Sequence, residues 1–276
     1  MPKLRTLGSL EIAYSPLHDL SGLGSLQSVE LMSLTGRIEA LTGLDSLASV
    51  DSLTLDGLPV SDLSALHDLV VRALYISNFP NLTSLQSLGS GVSVEELSLS
   101  GNEHMTSLNG LPLEHLQGLA VEELDQLSSL SVLSGVESLR YLVVDTEPGL
   151  SNLHGLESLH DVSESLSLQA LPQISSLSEL SALRTVGELN LTSLGKLENL
   201  AGLMALTRAD RLYLEQNPRL SSLAPLLGWP PRVVTGGLEI AGNPLLPQCQ
   251  VDQLATNQAT DDGCQLCTDN LAGACP

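Results

Sequence analysis

The sequence predicts an all-β-dominated repeat, a right-handed parallel β-solenoid of about eleven coils of 21–27 residues, closed by a small cysteine-containing C-terminal cap. Three observations carry this. Leucine recurs at every third residue within a larger unit of about 22 residues. An L-x-L pair opens each unit, and a turn signal follows two or three residues later. Residues 189–206, LNLTSLGKLENLAGLMAL, show the skeleton, with Leu189 and Leu191 followed by Leu197, Leu200, Leu203 and Leu206 at strict threes. A fixed period of this size is the signature of a solenoid.

The spacing argues against a helical bundle. A residue turns by about 100° on an α-helix, so steps of three walk leucines around the cylinder and leave no single buried face. The L-x-L pair instead has period two, which places both side chains on one side of a short strand. The remaining leucines fit a coil that bends at regular corners and turns one apolar residue inward per segment.

Taken in order, the pairs begin at Leu10, Leu31, Leu53, Leu74, Leu97, Leu124, Leu142, Leu166, Leu189, Leu212 and Leu238. A gap of 27 followed by one of 18 around Leu124 places the register there a few residues off. The corners carry Asn78-Phe79-Pro80, Gly101-Asn102, Glu147-Pro148, Gln216-Asn217-Pro218 and Gly242-Asn243-Pro244. Asn and Pro favour turns through side-chain bonding and a preset φ. Some of these asparagines are expected to point inward and bond backbone amides along the stack.

Residues 1–246 form the solenoid on this reading, and 247–276 the cap. All four cysteines, Cys249, Cys264, Cys267 and Cys275, fall in the last 28 residues. An even number confined to one end reads as two disulfides in an oxidising compartment. Zinc is disfavoured because only Cys264 and Cys267 form a C-x2-C knuckle. A short helix around 247–256 is expected to lay Val251 and Leu254 over the last coil. At the other end, LRTLGSLEI at 4–12 aligns with LRTVGELNL at 183–191, so Met1 falls in the middle of a coil. Further coils or a signal segment are therefore expected upstream, and the protein is expected to be secreted or at the cell surface.

Composition narrows the partners. The formal net charge is −21 and aromatic residues make up 2%, with one Trp and one Phe. Such a surface repels nucleic-acid phosphates and anionic membranes. No apolar stretch approaches the roughly 20 residues of a membrane span. The acidity is expected to keep the molecule soluble and monomeric.

No catalytic constellation is present. The six histidines lack metalloprotease spacing, and no nucleophile elbow or phosphate loop occurs. The doublets Glu95-Glu96, Glu122-Glu123 and Asp261-Asp262 lack the alternating oxygen ligands of a calcium loop. No cofactor and no metal are expected.

The skeleton resembles the receptor L domain, a relative of the leucine-rich repeats. Leu74-Tyr75-Ile76 followed by Leu82, Leu85 and Leu88 carries it, as does Leu212-Tyr213-Leu214 followed by Leu220 and Leu223. The resemblance covers nearly all of 4–246 and implies architecture, since the matching residues are core leucines. The chain lacks the interrupting cysteine-rich modules and the aromatic contacts of hormone receptors, so receptor function does not carry over.

The functional expectation is a non-enzymatic extracellular recognition or adhesion module that binds a protein or glycan through its strand face. A structural cell-envelope spacer and a carbohydrate-active β-solenoid enzyme are the alternatives. The outward residue of each L-x-L pair is the candidate contact: Tyr75 and Tyr213 first, since tyrosine is enriched among binding anchors, with Asn190 and Glu239 beside them. Met32 is read as outward too. The competing reading is that both tyrosines only cover neighbouring coils.

Overall fold

The computed structural model describes residues 4–230, 233–258 and 264–272, with the side chains of 264–266 undescribed. The chain divides into two compact units, residues 1–127 and 128–276. Unit 1 carries β1 (Thr6–Ile12), β2 (Ser28–Thr35), β3 (Ser49–Asp56), β4 (Val70–Ser77), β5 (Ser93–Ser100) and β6 (Gly118–Glu122). Unit 2 carries β7 (Ser138–Asp145), β8 (Asp161–Gln169), β9 (Thr185–Thr192), β10 (Arg208–Glu215), β11 (Val234–Ala241) and the three-residue β12 (Cys264–Leu266). Within each unit, successive strands pair in parallel, one per coil. The expected parallel β-solenoid is the observed fold.

Strand register follows the inward apolar columns. In unit 1 Leu10, Met32, Leu53, Leu74, Leu97 and Leu119 stack rung on rung. In unit 2 the column is Leu142, Leu166, Leu189, Leu212 and Leu238. Two expectations are corrected here. The second pair is Met32 and Leu34, so Met32 is buried and Leu31 lies outside at 54% exposure. The sixth pair is Leu119 and Val121, and Leu124 lies past the strand in the core. The unit 1 spacings then become 22, 21, 21, 23 and 22. A one-residue slip would turn every inward side chain out, so burial of whole columns sets the register more firmly than leucine identity.

Each strand ends in a left-handed residue that turns the chain. Gly57, Gly101 and Gly242 do this where glycine is available, but Asn78, Thr146, Ala170, Ser193 and Gln216 also take positive φ. After Gly36 the next residue, Arg37, is exposed, but at the strand ends from Gly57 to Gly242 the next residue points inward. At three such places it is asparagine, fully buried: Asn102, Asn217 and Asn243. Asn102 Oδ1 accepts from the Phe79 N–H at 3.0 Å, while its Nδ2 donates to the Ile76 carbonyl at 2.9 Å. Asn217 does the same with Leu194 N–H and Leu191 O, both at 2.9 Å. The expectation of inward asparagines holds for these three. Asn78 instead turns outward and donates to Asp56 Oδ1 at 2.7 Å, and Phe79 fills the buried place.

The leucines at threes owe their common direction to single 3-10 turns such as Ser64–Leu66, Ser178–Leu180 and Ala201–Leu203. With three residues per turn, positions i and i+3 eclipse, so Leu197, Leu200, Leu203 and Leu206 all face the core. The residue before the leading leucine supplies a cap. Asp62 accepts from Ser64 N–H at 2.9 Å, Ser176 from Ser178 at 3.0 Å and Asn199 from Ala201 at 3.1 Å. Coils also approach very closely: a Cβ on Gly202 would lie 1.7 Å from the Leu177 carbonyl oxygen.

The core is aliphatic, with Phe79 and Trp229 as its only aromatic members among the described residues. Each buried leucine contributes roughly 1.5–3 kcal/mol relative to exposure. Among the described residues α-helix is limited to one turn, α1 (Ala224–Leu227), and to α2 (Gln248–Gln258). On α2, Val251 and Leu254 are fully buried, as expected. Gln250 accepts from the Leu223 N–H at 2.7 Å and the buried Gln258 from Val234 at 3.1 Å, so α2 satisfies amides of the coils beneath it. Cys249 and Cys267 each take part in a disulfide. Cys275 and the side chain of Cys264 lie outside what is described.

Candidate binding face

Outward side chains of the strands form columns as regular as the core. In unit 2, Ser167, Asn190, Tyr213 and Glu239 occupy successive rungs. Three of the four expected contact residues thus stand side by side. Asn190 Oδ1 accepts from Thr192 Oγ1 at 2.6 Å, which ties the amide to its own strand. Tyr213 and Glu239 are half-buried. Tyr75 belongs to unit 1, between Thr54 and Ser98, and is 41% exposed. Tyr75 thus lies in unit 1 and Tyr213 in unit 2.

Sequence reasoning missed a second outward band near the strand starts. Two residues lie between the buried Val29 and Met32, and both Glu30 and Leu31 face solvent. In unit 1 this band borders a groove of about 550 Å³ that runs over β1–β5, lined by Glu30, Asp51, Val70, Arg72 and Glu95 among others. Arg72 grips Asp51 with both prongs, Nε to Oδ1 at 2.8 Å and NH2 to Oδ2 at 3.2 Å. Its NH1 lies 3.7 Å from Glu96. The Arg72 hydrogen bonds hold the Asp51 carboxyl below its ordinary range and raise the guanidinium in turn. Strands β1–β6 carry seven carboxylates against this one guanidinium. That imbalance is legible in the sequence once the strand bounds are known.

The strands of unit 2 are better balanced. Arg140 forks onto Glu164 at 2.9 and 3.3 Å, Arg208 meets Asp210 at 3.1 Å, and Arg211 lies 3.9 Å from Glu188.

Four of the six histidines sit beside carboxylates. His18 contacts Glu39, His67 lies 3.2 Å from Asp68, and His154 meets Glu157 at 2.5 Å. His160 is held between Asp161 at 2.7 Å and Glu137 at 3.5 Å. Asp161 is also bonded by the Thr185 hydroxyl, and these two contacts, Thr185 first, lower its carboxyl. No serine or threonine hydroxyl is bonded to a histidine in any of these sets, so none has the arrangement of a nucleophile with its base. Among the described residues no three His, Cys, Asp or Glu side chains gather to hold a metal; Asp261-Asp262 lies outside them. No helix among the described residues is long and apolar enough to cross a membrane.

The crystal structure of an internalin from Listeria monocytogenes superposes with a TM-score of 0.54, at 17% identity, over 97% of this chain and 82% of that one. The fold is that of a leucine-rich-repeat solenoid. No protein-family model matches the chain, so the resemblance to receptor L domains narrows to this shared architecture. In sequence, the chain is 30% identical over 151 residues to a Trypanosoma equiperdum protein named "Putative adenylate cyclase regulatory protein". The match takes in 51% of this chain and 24% of the curated relative, so it spans about a quarter of that protein's length.

Proposed function

We propose that this leucine-rich-repeat solenoid is a non-enzymatic recognition module, secreted or at the cell surface, that acts as a monomer and binds a protein through its strand face. The carrying observation is the regular outward column on successive strands, with Tyr75 in unit 1 and Asn190, Tyr213 and Glu239 in unit 2. Residues on rungs about 4.8 Å apart offer a partner a flat, repeating contact surface. Likeness to an internalin fold supports a binding role, and a relative named for regulating an enzyme supports a protein partner over a glycan. The scarcity of aromatic side chains points the same way, because sugar rings are held by stacking. The disulfide-bonded Cys249 and Cys267 support an oxidising compartment.

The test is a screen of the full chain against protein and glycan arrays. Hits are expected among proteins and should weaken in Tyr75→Ala or Tyr213→Ala, while Met204→Glu, at an exposed site off the strands, leaves them unchanged. Turnover of a polysaccharide would replace this reading with an enzyme. Hits insensitive to every strand-face substitution would move recognition to another surface, and no hits would favour a structural spacer.

A further inference from the structure

We propose that the docking surface lies in unit 1, on the outward face of β2–β4, and that its partner is a cationic protein segment with an apolar centre. This rests on the recognition reading above and narrows it to one unit and one partner chemistry.

The apolar part comes from Leu31 on β2 and from Val70 and Tyr75 on β4, with β3 between them, exposed by 54%, 56% and 41%. The described strands of unit 2 contribute none of the large exposed hydrophobic side chains. Exposed apolar side chains on an otherwise polar sheet give this face a hydrophobic component. The groove beside them supplies relief for side chains to enter.

The charge names the partner. Glu30, Asp51 and Glu95 border the groove, and its single guanidinium, Arg72, is already gripped by Asp51. An acidic partner or a nucleic acid would meet like charge and be rejected. A second copy of this chain fares no better, since each carries a net −21. Lysine or arginine side chains placed around a hydrophobic centre complement both features at once.

The probe is a labelled nine-residue peptide of alternating lysine and leucine, followed by fluorescence anisotropy on the full chain. Alternating glutamate–leucine and lysine–serine peptides serve as controls. The lysine–leucine peptide should bind, more weakly as salt rises, and both controls should bind at least tenfold more weakly, about the effect of losing a contact worth 1.4 kcal/mol. Glu30→Lys with Glu95→Lys, and separately Leu31→Ser with Val70→Ser, should each weaken it about tenfold. Glu188→Lys with Glu198→Lys, unit 2 residues outside the proposed contact column, should change it less than about twofold. Circular dichroism melting confirms that each variant is folded. Equal affinity for the lysine–serine peptide, or an equal loss from the unit 2 pair, would reduce the effect to bulk charge and overturn the inference. So would failure of the lysine–leucine peptide to bind. Array partners that depend on Tyr213 but not on the unit 1 residues would overturn this inference and leave the strand-face reading standing. Array partners indifferent to both units' variants would overturn the reading itself.

Discussion

Asn217 and Asn243 are linked in series. The backbone N–H of Asn217 donates to Asn243 Oδ1 at 3.0 Å, and Asn243 Nδ2 donates to the Leu214 carbonyl at 2.9 Å. Asn270 continues the run, accepting from the Asn243 N–H at 3.3 Å and donating to the Ile240 carbonyl at 2.8 Å. Each amide serves the backbone of the coil before it; Asn217 and Asn243 do so fully buried, Asn270 half-buried.

Replacing Asn217 by leucine leaves the Leu194 N–H and the Leu191 carbonyl without this partner inside the core. Leaving a buried polar group unsatisfied costs about 1–3 kcal/mol. Urea unfolding should report a loss of that size, and hydrogen exchange should be accelerated at the Leu194 amide. Unchanged protection there would show that the ladder bond contributes little.

Glu147 is the exception to the pattern. It follows the left-handed Thr146 just as Asn102 follows Gly101, and it is fully buried. A carboxylate is costlier to desolvate than a carboxamide of similar shape. Glu147→Gln is therefore expected to stabilise the protein at pH 7 by on the order of 1 kcal/mol, measured as a higher urea midpoint with an unchanged slope. A lower midpoint would mean that the charge itself is held favourably.

Gly202 is required for lack of space. Its backbone is not in the left-handed region, but a Cβ would lie 1.7 Å from Leu177 O, an atom that cannot rotate away. Gly202→Ala must push two coils apart and should cost at least about 1–3 kcal/mol. Gly228→Ala, where a Cβ meets nothing within 4 Å, is the matched control and should be close to neutral.

Acid should destabilise the fold. The Asp51, Asp62 and Asp161 carboxyls are held below the ordinary 3.8 and Glu157 below 4.5, by hydrogen bonds from Arg72, Ser64, Thr185 and the backbone respectively. A group whose folded pKa is depressed contributes stability that is complete above its unfolded pKa and disappears as pH falls through the folded one. The melting temperature should thus hold its level down to about pH 5 and drop below about pH 4. Thr185→Val, which removes the first partner of Asp161, should shrink that drop. A melting temperature that rises on acidification would show that relief of the net −21 outweighs these bonds.

The sequence by itself determined the solenoid, the coil length and the aliphatic core, and that some of the corner asparagines turn inward. Each of these is written in residues two or three apart, and such spacings translate directly into which way a side chain points. What only the tertiary structure decided depends on neighbours some 22 residues away. Met32 rather than Leu31 faces inward because the rungs above and below, Leu10 and Leu53, demand an apolar partner at that height. Leu119 rather than Leu124 opens the sixth pair for the same reason. The gathering of Glu30, Asp51, Arg72 and Glu95 along one groove was hidden likewise, because no local spacing relates residues on four different strands. Their meeting is fixed by strand register alone, and register is set by burying whole columns at once.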